Sequence, residues 1–223
     1  MSALLLNAPQ REAIHYLDGP SLVLAGAGSG KTRVITQKIA YLITECGFNP
    51  ANIAAITFTN KAAKEMVERI NKLMGGRATK GLVVCTFHAL GVRIVRQEAQ
   101  LLGLKPQFSI LDSTDTTQII SEMIGSTDKN RAKAIQWQIS SWKNALIEPN
   151  EAAQLANDEV ASSAALLYQE YDKTLRAYQG VDFDDLIRLP VKIFDEHPEV
   201  RERWQNKLRY LLVDEYQDTN RAQ

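Results

Sequence analysis

The sequence predicts an α/β fold in which helices flank a parallel β-sheet and a helical subdomain is inserted. Four apolar, strand-like segments alternate with helical patterns, at residues 21–25, 53–58, 82–86 and 208–213. Such nearly continuous apolar runs are typical of parallel strands that are covered on both faces. Between residues 104 and 180 the pattern changes, because only a short strand-like segment at 108–111 interrupts a series of helical patterns.

The composition is that of an ordinary globular protein, and it excludes a protein with a large net charge and one that spans a membrane. The 223 residues are 45% hydrophobic and 23% charged, and 26 basic residues balance 26 acidic ones. Any binding of nucleic acid must therefore be local. Cys46 and Cys85 lie in apolar patterns, which predicts buried free thiols in a reducing compartment. No apolar run reaches the length of a membrane span and no signal pattern is visible, so we expect a cytoplasmic protein.

A glycine-rich turn between the first strand and the next helix predicts a phosphate site. Residues 22–32 read Leu-Val-Leu-Ala-Gly-Ala-Gly-Ser-Gly-Lys-Thr. Glycines bring backbone N–H groups close to a ligand, and the helix start points its positive dipole end at it. Lys31 can neutralise β/γ-phosphate oxygens, and Thr32 can ligate Mg²⁺. The alternative is a turn that binds nothing, and Ala25 stands where the phosphate-loop pattern G-x-x-x-x-G-K-[ST] has glycine.

Capping residues and apolar spacing predict the other elements of the first 103 residues. Asn7 is expected to cap a first helix, and apolar residues recur at helical spacing after the glycine-rich turn. Asn60 can cap the next helix, which Gly75 ends. The strand at 82–86 precedes a helix that extends to about residue 102.

Residues 104–180 are expected to form the inserted subdomain, with helices near 113–124, 130–146, 151–157 and 160–178. The second of these helices carries basic residues and two tryptophans: Lys129, Arg131, Lys133, Lys143, Trp137 and Trp142. A solvated basic face with core tryptophans explains this pattern. Contact with a nucleic-acid backbone is the more specific alternative.

Residues 181–223 are expected to return to the first domain. Asp182 is a natural N-cap for a helix that Pro190 should kink or end, and Pro198 can open the next helix. The strand at 208–213 then delivers Asp214 and Glu215. Asp214 can hold the water shell of Mg²⁺, and Glu215 can orient or deprotonate an attacking water.

Polar and aromatic residues also follow two other strands. Ligands of parallel sheets bind beyond the carboxyl ends of the strands, so these loops should line one surface with the glycine-rich turn. Short polar side chains with interleaved rings are typical of single-strand binding. The residues concerned are Thr57, Phe58, Thr59, Asn60, Lys61, Thr86, Phe87 and His88. Core packing is the alternative for each phenylalanine.

Four motifs in order resemble a known family. Residues 25–32 (Ala-Gly-Ala-Gly-Ser-Gly-Lys-Thr), 57–63 (Thr-Phe-Thr-Asn-Lys-Ala-Ala), 86–88 (Thr-Phe-His) and 214–218 (Asp-Glu-Tyr-Gln-Asp) are similar to successive motifs of superfamily 1A DNA helicases of the UvrD/Rep/PcrA type. The resemblance covers the whole chain, and alanine at position 25 is usual in that family.

The resemblance implies a RecA-like P-loop NTPase fold, with domain 1A at residues 1–103 and 181–223 and subdomain 1B at 104–180. It places Gln10 in an adenine-reading motif and Arg33 at the end of the phosphate loop. The nucleotide-binding residues it implies are Gln10, Ala25, Gly26, Ala27, Gly28, Ser29, Gly30, Lys31, Thr32 and Arg33. The catalytic residues it implies are Lys31, Asp214, Glu215 and Gln217, with Thr32 and Asp214 on Mg²⁺ and Gln217 sensing the γ-phosphate. Residues 57–61 and 86–88 become single-strand contacts, with Phe58 a base-stacking candidate.

The implied function is the N-terminal portion of an ATP-dependent 3′–5′ DNA helicase acting on single strands and single-strand/duplex junctions. The family's second RecA-like domain (2A) and its subdomain 2B are not in this sequence. Because 2A carries arginines that complete the ATP site, this fragment is expected to bind nucleotide, hydrolyse it poorly and unwind nothing. The sequence does not indicate the oligomeric state, and a monomer is the default. The alternatives are a nucleotide- and DNA-binding module without turnover, and a P-loop kinase for a small molecule.

Overall fold

The computed structural model describes residues 6–26, 28–76 and 79–223. The chain forms two compact units. The first unit comprises Met1–Phe87 and Glu202–Asp218, and the second comprises His88–Arg201 and Thr219–Gln223. The domain boundaries at 103/104 and 180/181 remain predictions.

Ten α-helices and five β-strands make up the described part of the chain. The helices are α1 (Ala8–His15), α2 (Lys31–Thr44), α3 (Asn60–Met74), α4 (Phe87–Gln97), α5 (Ser113–Met123), α6 (Lys129–Asn144), α7 (Pro149–Leu155), α8 (Glu159–Ala177), α9 (Asp185–Glu196) and α10 (Pro198–Lys207). The strands are β1 (Ile53–Thr57), β2 (Val83–Thr86), β3 (Ser109–Ile110), β4 (Gly180–Val181) and β5 (Tyr210–Val213). Short 3₁₀ turns cover Pro50–Asn52, Ala99–Leu102 and Tyr216–Asp218.

The first unit is built on a parallel sheet in the order β2-β1-β5. Ala54 of the central strand is in register with Val83 on one side and Leu211 on the other. All five residues of β1 are buried, because α2 and α3 contribute apolar side chains such as Ile39 and Met66 to the same core. The expected parallel sheet is therefore confirmed for three of its four strands.

The fourth expected strand, at residues 21–25, is wrong. Residues 21–26 form no strand, and the side chains of Leu22, Val23 and Leu24 are 66%, 47% and 86% exposed. A strand is stabilised by a hydrogen-bonded neighbour and by burial of one face at least. None of the described strands pairs with this segment, so its β-favouring residues have nothing to bury against.

Helix termini in the first unit follow local capping chemistry. Asn7 caps α1 as expected, in a reciprocal capping box with Gln10. The N-cap of α3 is Thr59 and not Asn60, since the Thr59 hydroxyl accepts a hydrogen bond from the Ala62 amide. Gly75 ends α3 in the left-handed conformation, as expected.

The return segment begins its helix later than expected. Asp182 is not the N-cap of α9, because the helix starts at Asp185 and Asp184 occupies that position. Asp182 still accepts a hydrogen bond from the Asp185 amide at 2.8 Å. Pro190 lies inside α9 without ending it, and it is one of the buried residues of this helix. Pro198 opens α10, as expected.

The second unit is mainly helical, with β3 and β4 forming a two-stranded parallel sheet. Its core contains Trp142 stacked on Tyr168, with ring centroids 6.0 Å apart. Trp142 is thus a core residue, as expected. Trp137 is not, because 71% of it is exposed. The expected solvated basic face is also wrong at Lys143, which is fully buried.

Lys143 is buried among carboxylates from α8 and the start of α9. Its Nζ lies 2.7 Å from Asp182 Oδ2, 3.0 Å from Asp185 Oδ1 and 3.2 Å from Asp172 Oδ1. Burial alone would lower the pKa of Lys143, but the charges of Asp185, Asp182 and Asp172 outweigh it and raise that pKa. Arg188 adds a second cation to the same cluster, 2.6 Å from Asp172 Oδ2.

Two further sequence expectations concern the thiols and the membrane. The expected burial is confirmed for Cys85 and wrong for Cys46, which is half-buried; among the described residues neither cysteine forms a disulfide. None of the described helices is both long enough and apolar enough to cross a membrane.

Candidate nucleotide site and strand-end loops

The glycine-rich turn folds into a tight loop ahead of α2. Gly28 and Gly30 have φ values of 74° and 88°, which residues with a Cβ rarely adopt. The Ser29 hydroxyl donates a hydrogen bond to the Gly26 carbonyl at 2.7 Å. The predicted contact residue Ala27 lies outside the described residues, whereas Ala25 accepts from the Lys31 ammonium at 3.5 Å.

The start of α2 presents backbone donors to this loop. Gly30 occupies the N-cap and offers no side-chain cap. The first N–H groups of a helix lack intrahelical acceptors, so this end favours an anion. Lys31 and Thr32 are the first two residues of α2, followed by the half-buried Arg33. The Lys31 side chain is 28% exposed.

Gln10, a residue of α1, hydrogen-bonds to the glycine-rich loop. Its Nε2 donates to the Ser29 carbonyl at 2.9 Å, while its Oε1 accepts from the Asn7 amide at 3.0 Å. Both ends of the side-chain amide therefore have partners, and Gln10 joins the α1 N-terminus to the glycine-rich loop. The sequence pattern Asn-x-x-Gln, a capping box, is the signal that could have indicated this.

Asp214 emerges from the sheet directly beside the start of α2. Its amide donates to the Ile56 carbonyl at 2.9 Å, which continues the pairing of β5 with β1. Thr32 Oγ1 donates to Asp214 Oδ2 at 3.4 Å. Asp214 is 7% exposed. Burial raises the pKa of its carboxyl and repulsion from Glu215 raises it further, whereas hydrogen bonds from the Glu215 amide and Thr32 and the charge of Lys31 oppose this shift.

Glu215 is turned towards Lys31 by an unusual backbone conformation. Its φ is 51°, in the left-handed region that residues other than glycine rarely adopt. Its Oε2 lies 3.8 Å from Lys31 Nζ and accepts a hydrogen bond from Gln217 Nε2 at 2.6 Å. The structure thus brings together four of the predicted site residues that lie far apart in sequence: Lys31, Thr32, Asp214 and Glu215.

The oxygen pair of Thr32 and Asp214 suits Mg²⁺. Hydroxyl and carboxylate oxygens are the hard donors that this ion prefers, and it commonly takes one or two protein ligands together with phosphates and waters. Among the residues that the structure describes, no three His, Cys, Asp or Glu side chains cluster as a metal site. A cation at Thr32 and Asp214 would therefore complete its shell from a nucleotide and water.

The loop after β1 has two hydroxyls with structural partners. Thr57, which is 1% exposed, donates to the Thr59 carbonyl at 3.1 Å, and Thr59 caps α3. Asn60 and Lys61 open α3 and are exposed. Phe58 is 36% exposed and contacts Phe87 edge to face, with ring centroids 5.7 Å apart. Of these residues Thr57 is buried, and Phe58, Thr59, Asn60 and Lys61 are exposed.

The loop after β2 is shorter and more enclosed. Thr86 is buried at the end of the strand, and the half-buried Phe87 begins α4. In the second unit, half-buried His88 packs edge to face on Phe183, with ring centroids 5.7 Å apart. Burial lowers the pKa of His88 below its usual value, and the charge of Asp184 opposes this shift only in part.

The first unit therefore has the geometry of a P-loop nucleotide-binding domain. Residues 6–223 match the family described as the UvrD/REP helicase N-terminal domain, and the chain belongs to this family. The predicted resemblance is confirmed.

Curated relatives carry names of the same kind. The chain is 49% identical over 221 residues to ATP-dependent DNA helicase Rep of Escherichia coli, covering 98% of this chain and 33% of that protein. It is 45% identical over 217 residues to the Rep protein of Buchnera aphidicola, covering 97% and 32%. It is 44% identical over 229 residues to ATP-dependent DNA helicase PcrA of Staphylococcus aureus (strain Mu50), covering 100% and 31%. The chain spans about a third of the length of these relatives.

Proposed function

We propose that this chain is the N-terminal ATP- and single-strand-binding portion of an ATP-dependent 3′–5′ DNA helicase. The observation that carries the proposal is the approach of Thr32 Oγ1 to Asp214 Oδ2, at the N-terminus of an uncapped helix. The names of the Rep and PcrA relatives support it.

Each residue of the site has a role in this proposal. Backbone N–H groups of residues 28–32 and the Lys31 ammonium bind the β/γ-phosphates of ATP. Thr32 and Asp214 hold Mg²⁺, which neutralises developing charge on the phosphates. Glu215 orients or deprotonates the attacking water, and Gln217, hydrogen-bonded to Glu215, senses the γ-phosphate.

Gln10 has a second role in the proposal besides holding the loop. Its position next to Ser29 places it beside the phosphate loop. We propose that it reads adenine when ATP is bound.

The loops at residues 57–61 and 86–88 contact single-stranded DNA in this proposal. Exposed Phe58 stacks on a base, and Asn60 and Lys61 meet phosphates. The partners are single strands and single-strand/duplex junctions, together with further helicase domains (2A and 2B) of the longer protein.

An assay of ATP turnover by residues 1–223, with and without single-stranded DNA, tests the proposal. We expect nucleotide binding with little hydrolysis, because transition-state arginines of a second domain contribute large rate factors. Strong DNA-stimulated turnover would show that no second domain is needed. A phosphorylated small-molecule product without dependence on DNA would instead indicate a kinase.

A further inference from the structure

A buried lysine of α2 takes no part in the site described above. Lys38 lies about two turns beyond Lys31 on the same helix, and it is 5% exposed. Its Nζ donates hydrogen bonds to the carbonyls of Ala13 at 2.8 Å and Tyr16 at 2.6 Å. No carboxylate of the described residues forms an ion pair with this ammonium, so its charge is directed at backbone oxygens.

The two carbonyls belong to the C-terminal end of α1. Tyr16 is the C-cap of this helix, and Ala13 lies in its last turn. The last carbonyls of a helix lack intrahelical partners and carry a negative partial charge, so a cation is favourable there. Lys38 therefore binds the end of α1 from the neighbouring helix α2. His15 and Tyr41 join the same two helices edge to face, with ring centroids 4.7 Å apart.

The position of α1 depends on such contacts. The helix has eight residues, and a helix of that length is marginal by itself. All eight are described, and only Ile14 is buried. Apolar packing thus anchors α1 through a single side chain. Hydrogen bonds at its two ends therefore determine where the helix lies.

The other end of α1 carries Gln10, the residue proposed to read adenine. Its Nε2 donates to the Ser29 carbonyl, and it lies 3.2 Å from the position that a Cβ on Gly30 would take. The bonds to Ser29 and to the Asn7 amide leave the side-chain amide one N–H and one lone pair. This pair suits adenine, whose N6 donates and N7 accepts. It suits guanine less, because O6 and N7 both accept.

A displacement of α1 would affect the base and the phosphates differently. Gln10 would move with α1 away from the glycine-rich loop. Lys31 and the first N–H groups of α2 would stay in place, because they belong to α2 itself. Recognition of the base therefore depends on the attachment of α1, whereas binding of the phosphates does not.

We propose that Lys38 is a positioning residue for recognition of the base. By holding the C-terminal end of α1 against α2, it keeps Gln10 within reach of adenine. This inference rests on the proposed function. It adds to that function a residue that sets the preference for adenine without touching the nucleotide.

Ligands with and without a base test this role on the 223-residue chain. Lys38→Met removes the ammonium and keeps an unbranched side chain. Its affinity for ATP with Mg²⁺ should fall roughly 5- to 30-fold. Its affinity for inorganic tripolyphosphate, which has no base, should be retained. Isothermal titration measures both affinities, and Lys64→Met, at an exposed position of α3, is the matched control that should change neither.

Two further readouts distinguish positioning from a general loss of stability. The preference for ATP over GTP should narrow in Lys38→Met and be largely kept in Lys38→Arg, because a guanidinium can still donate to carbonyls. In a Gln10→Ala background, Lys38→Met should have no further effect on ATP affinity, since Lys38 acts through Gln10. Additive losses in the double variant would overturn this route of action.

Thermal unfolding of each variant shows whether the fold is kept. If Lys38→Met does not fold, Lys38→Gln is measured in its place, because the glutamine amide can still donate to one carbonyl. A chain that folds with neither substitution would show that Lys38 stabilises the whole unit. That result would overturn its assignment to base recognition.

The outcomes separate this inference from the proposed function. Equal losses of ATP and tripolyphosphate affinity in folded Lys38→Met, or no loss of either, overturn the role of Lys38 and leave the nucleotide site standing. An unchanged ATP affinity in Gln10→Ala contradicts the reading of adenine by Gln10. Failure of the wild type to bind either ligand contradicts the proposed function itself.

Discussion

Thr32 Oγ1 and Asp214 Oδ2 lie 3.4 Å apart although 182 residues separate them in sequence. The contact depends on the parallel sheet, because the Asp214 amide bonds to the Ile56 carbonyl where β5 and β1 end together. The polar site is thus placed by the backbone pairing of β5 with the buried strand β1. A substitution that keeps the strands and removes one oxygen should change ligand binding and leave the fold intact.

Thr32→Val tests the magnesium role of this pair. Valine keeps the shape of threonine and removes the hydroxyl, so the Mg²⁺-dependent part of ATP affinity should fall by about 1.5–3 kcal/mol. Isothermal titration with and without Mg²⁺ measures this Mg²⁺-dependent part of the ATP affinity. Thr44→Val, at the far end of α2, is the matched control and should preserve the dependence. Equal Mg²⁺ dependence in the Thr32 variant would exclude the hydroxyl as a ligand.

Glu215→Gln separates binding from turnover. In the proposed full-length helicase we expect ATP affinity to change little, while turnover falls on the order of 10²- to 10⁴-fold because a general base is lost. Single-turnover hydrolysis and nucleotide titration give the two values. Glu202→Gln, at an exposed position of α10, serves as the comparison. Retained turnover in the Glu215 variant would assign the base to another group.

Phe58→Ala tests the stacking role of the strand-end loop. Loss of a stacked base should weaken single-strand binding by roughly 1–3 kcal/mol. Fluorescence anisotropy measures the affinity for the single strand, and Tyr178→Ala provides an exposed aromatic control. A loss of stability with unchanged DNA affinity would show instead that Phe58 serves the contact with Phe87.

Lys143→Met tests the buried ionic cluster. It leaves the Asp182 and Asp185 carboxylates without their nearest cation, which should reduce the free energy of unfolding by about 3–5 kcal/mol at neutral pH. Chemical denaturation measures this, with Lys192→Met as the exposed control.

The cluster also predicts how that loss depends on pH. In the wild type, burial raises the pKa of Asp185, but Lys143, Arg188 and Arg176 outweigh it and depress that pKa below its unfolded value. Ionised Asp185 therefore contributes stability above its unfolded pKa, and this contribution is lost as the pH falls through the folded pKa. The deficit of Lys143→Met should therefore stay nearly constant from about pH 8 to about pH 5 and shrink as the pH falls below about 4. A deficit that grows on acidification would contradict this assignment.

The sequence predicts best what depends on local pattern. The positions of β1, β2 and β5 and the boundaries of α5 to α8 follow from apolar spacing and caps. The segment at 21–25 has the same apolar pattern as β1, yet it forms no strand, because pairing depends on a neighbour that a local pattern does not reveal. The left-handed backbone of Glu215 has no sequence signal either, since glutamate rarely adopts it.

For Lys143, helical periodicity indicates burial, whereas the charge of lysine argues against it. It follows Ile135 and Ile139 at intervals of four, so helical periodicity places it on the buried face of α6. A lysine is rarely buried without partners, and its carboxylate partners lie 29 to 42 residues further along the chain. Only the tertiary structure brings those charges together.

The most direct test of the central claim is ATP binding by residues 1–223 carrying Lys31→Ala. If Lys31, at the start of α2, neutralises the phosphates, this variant should lose measurable ATP affinity while its unfolding transition stays close to wild type. Lys72→Ala, on the exposed face of α3, should bind ATP like the wild type. Unchanged ATP affinity in the folded Lys31 variant would contradict the assignment of the glycine-rich loop as the nucleotide site.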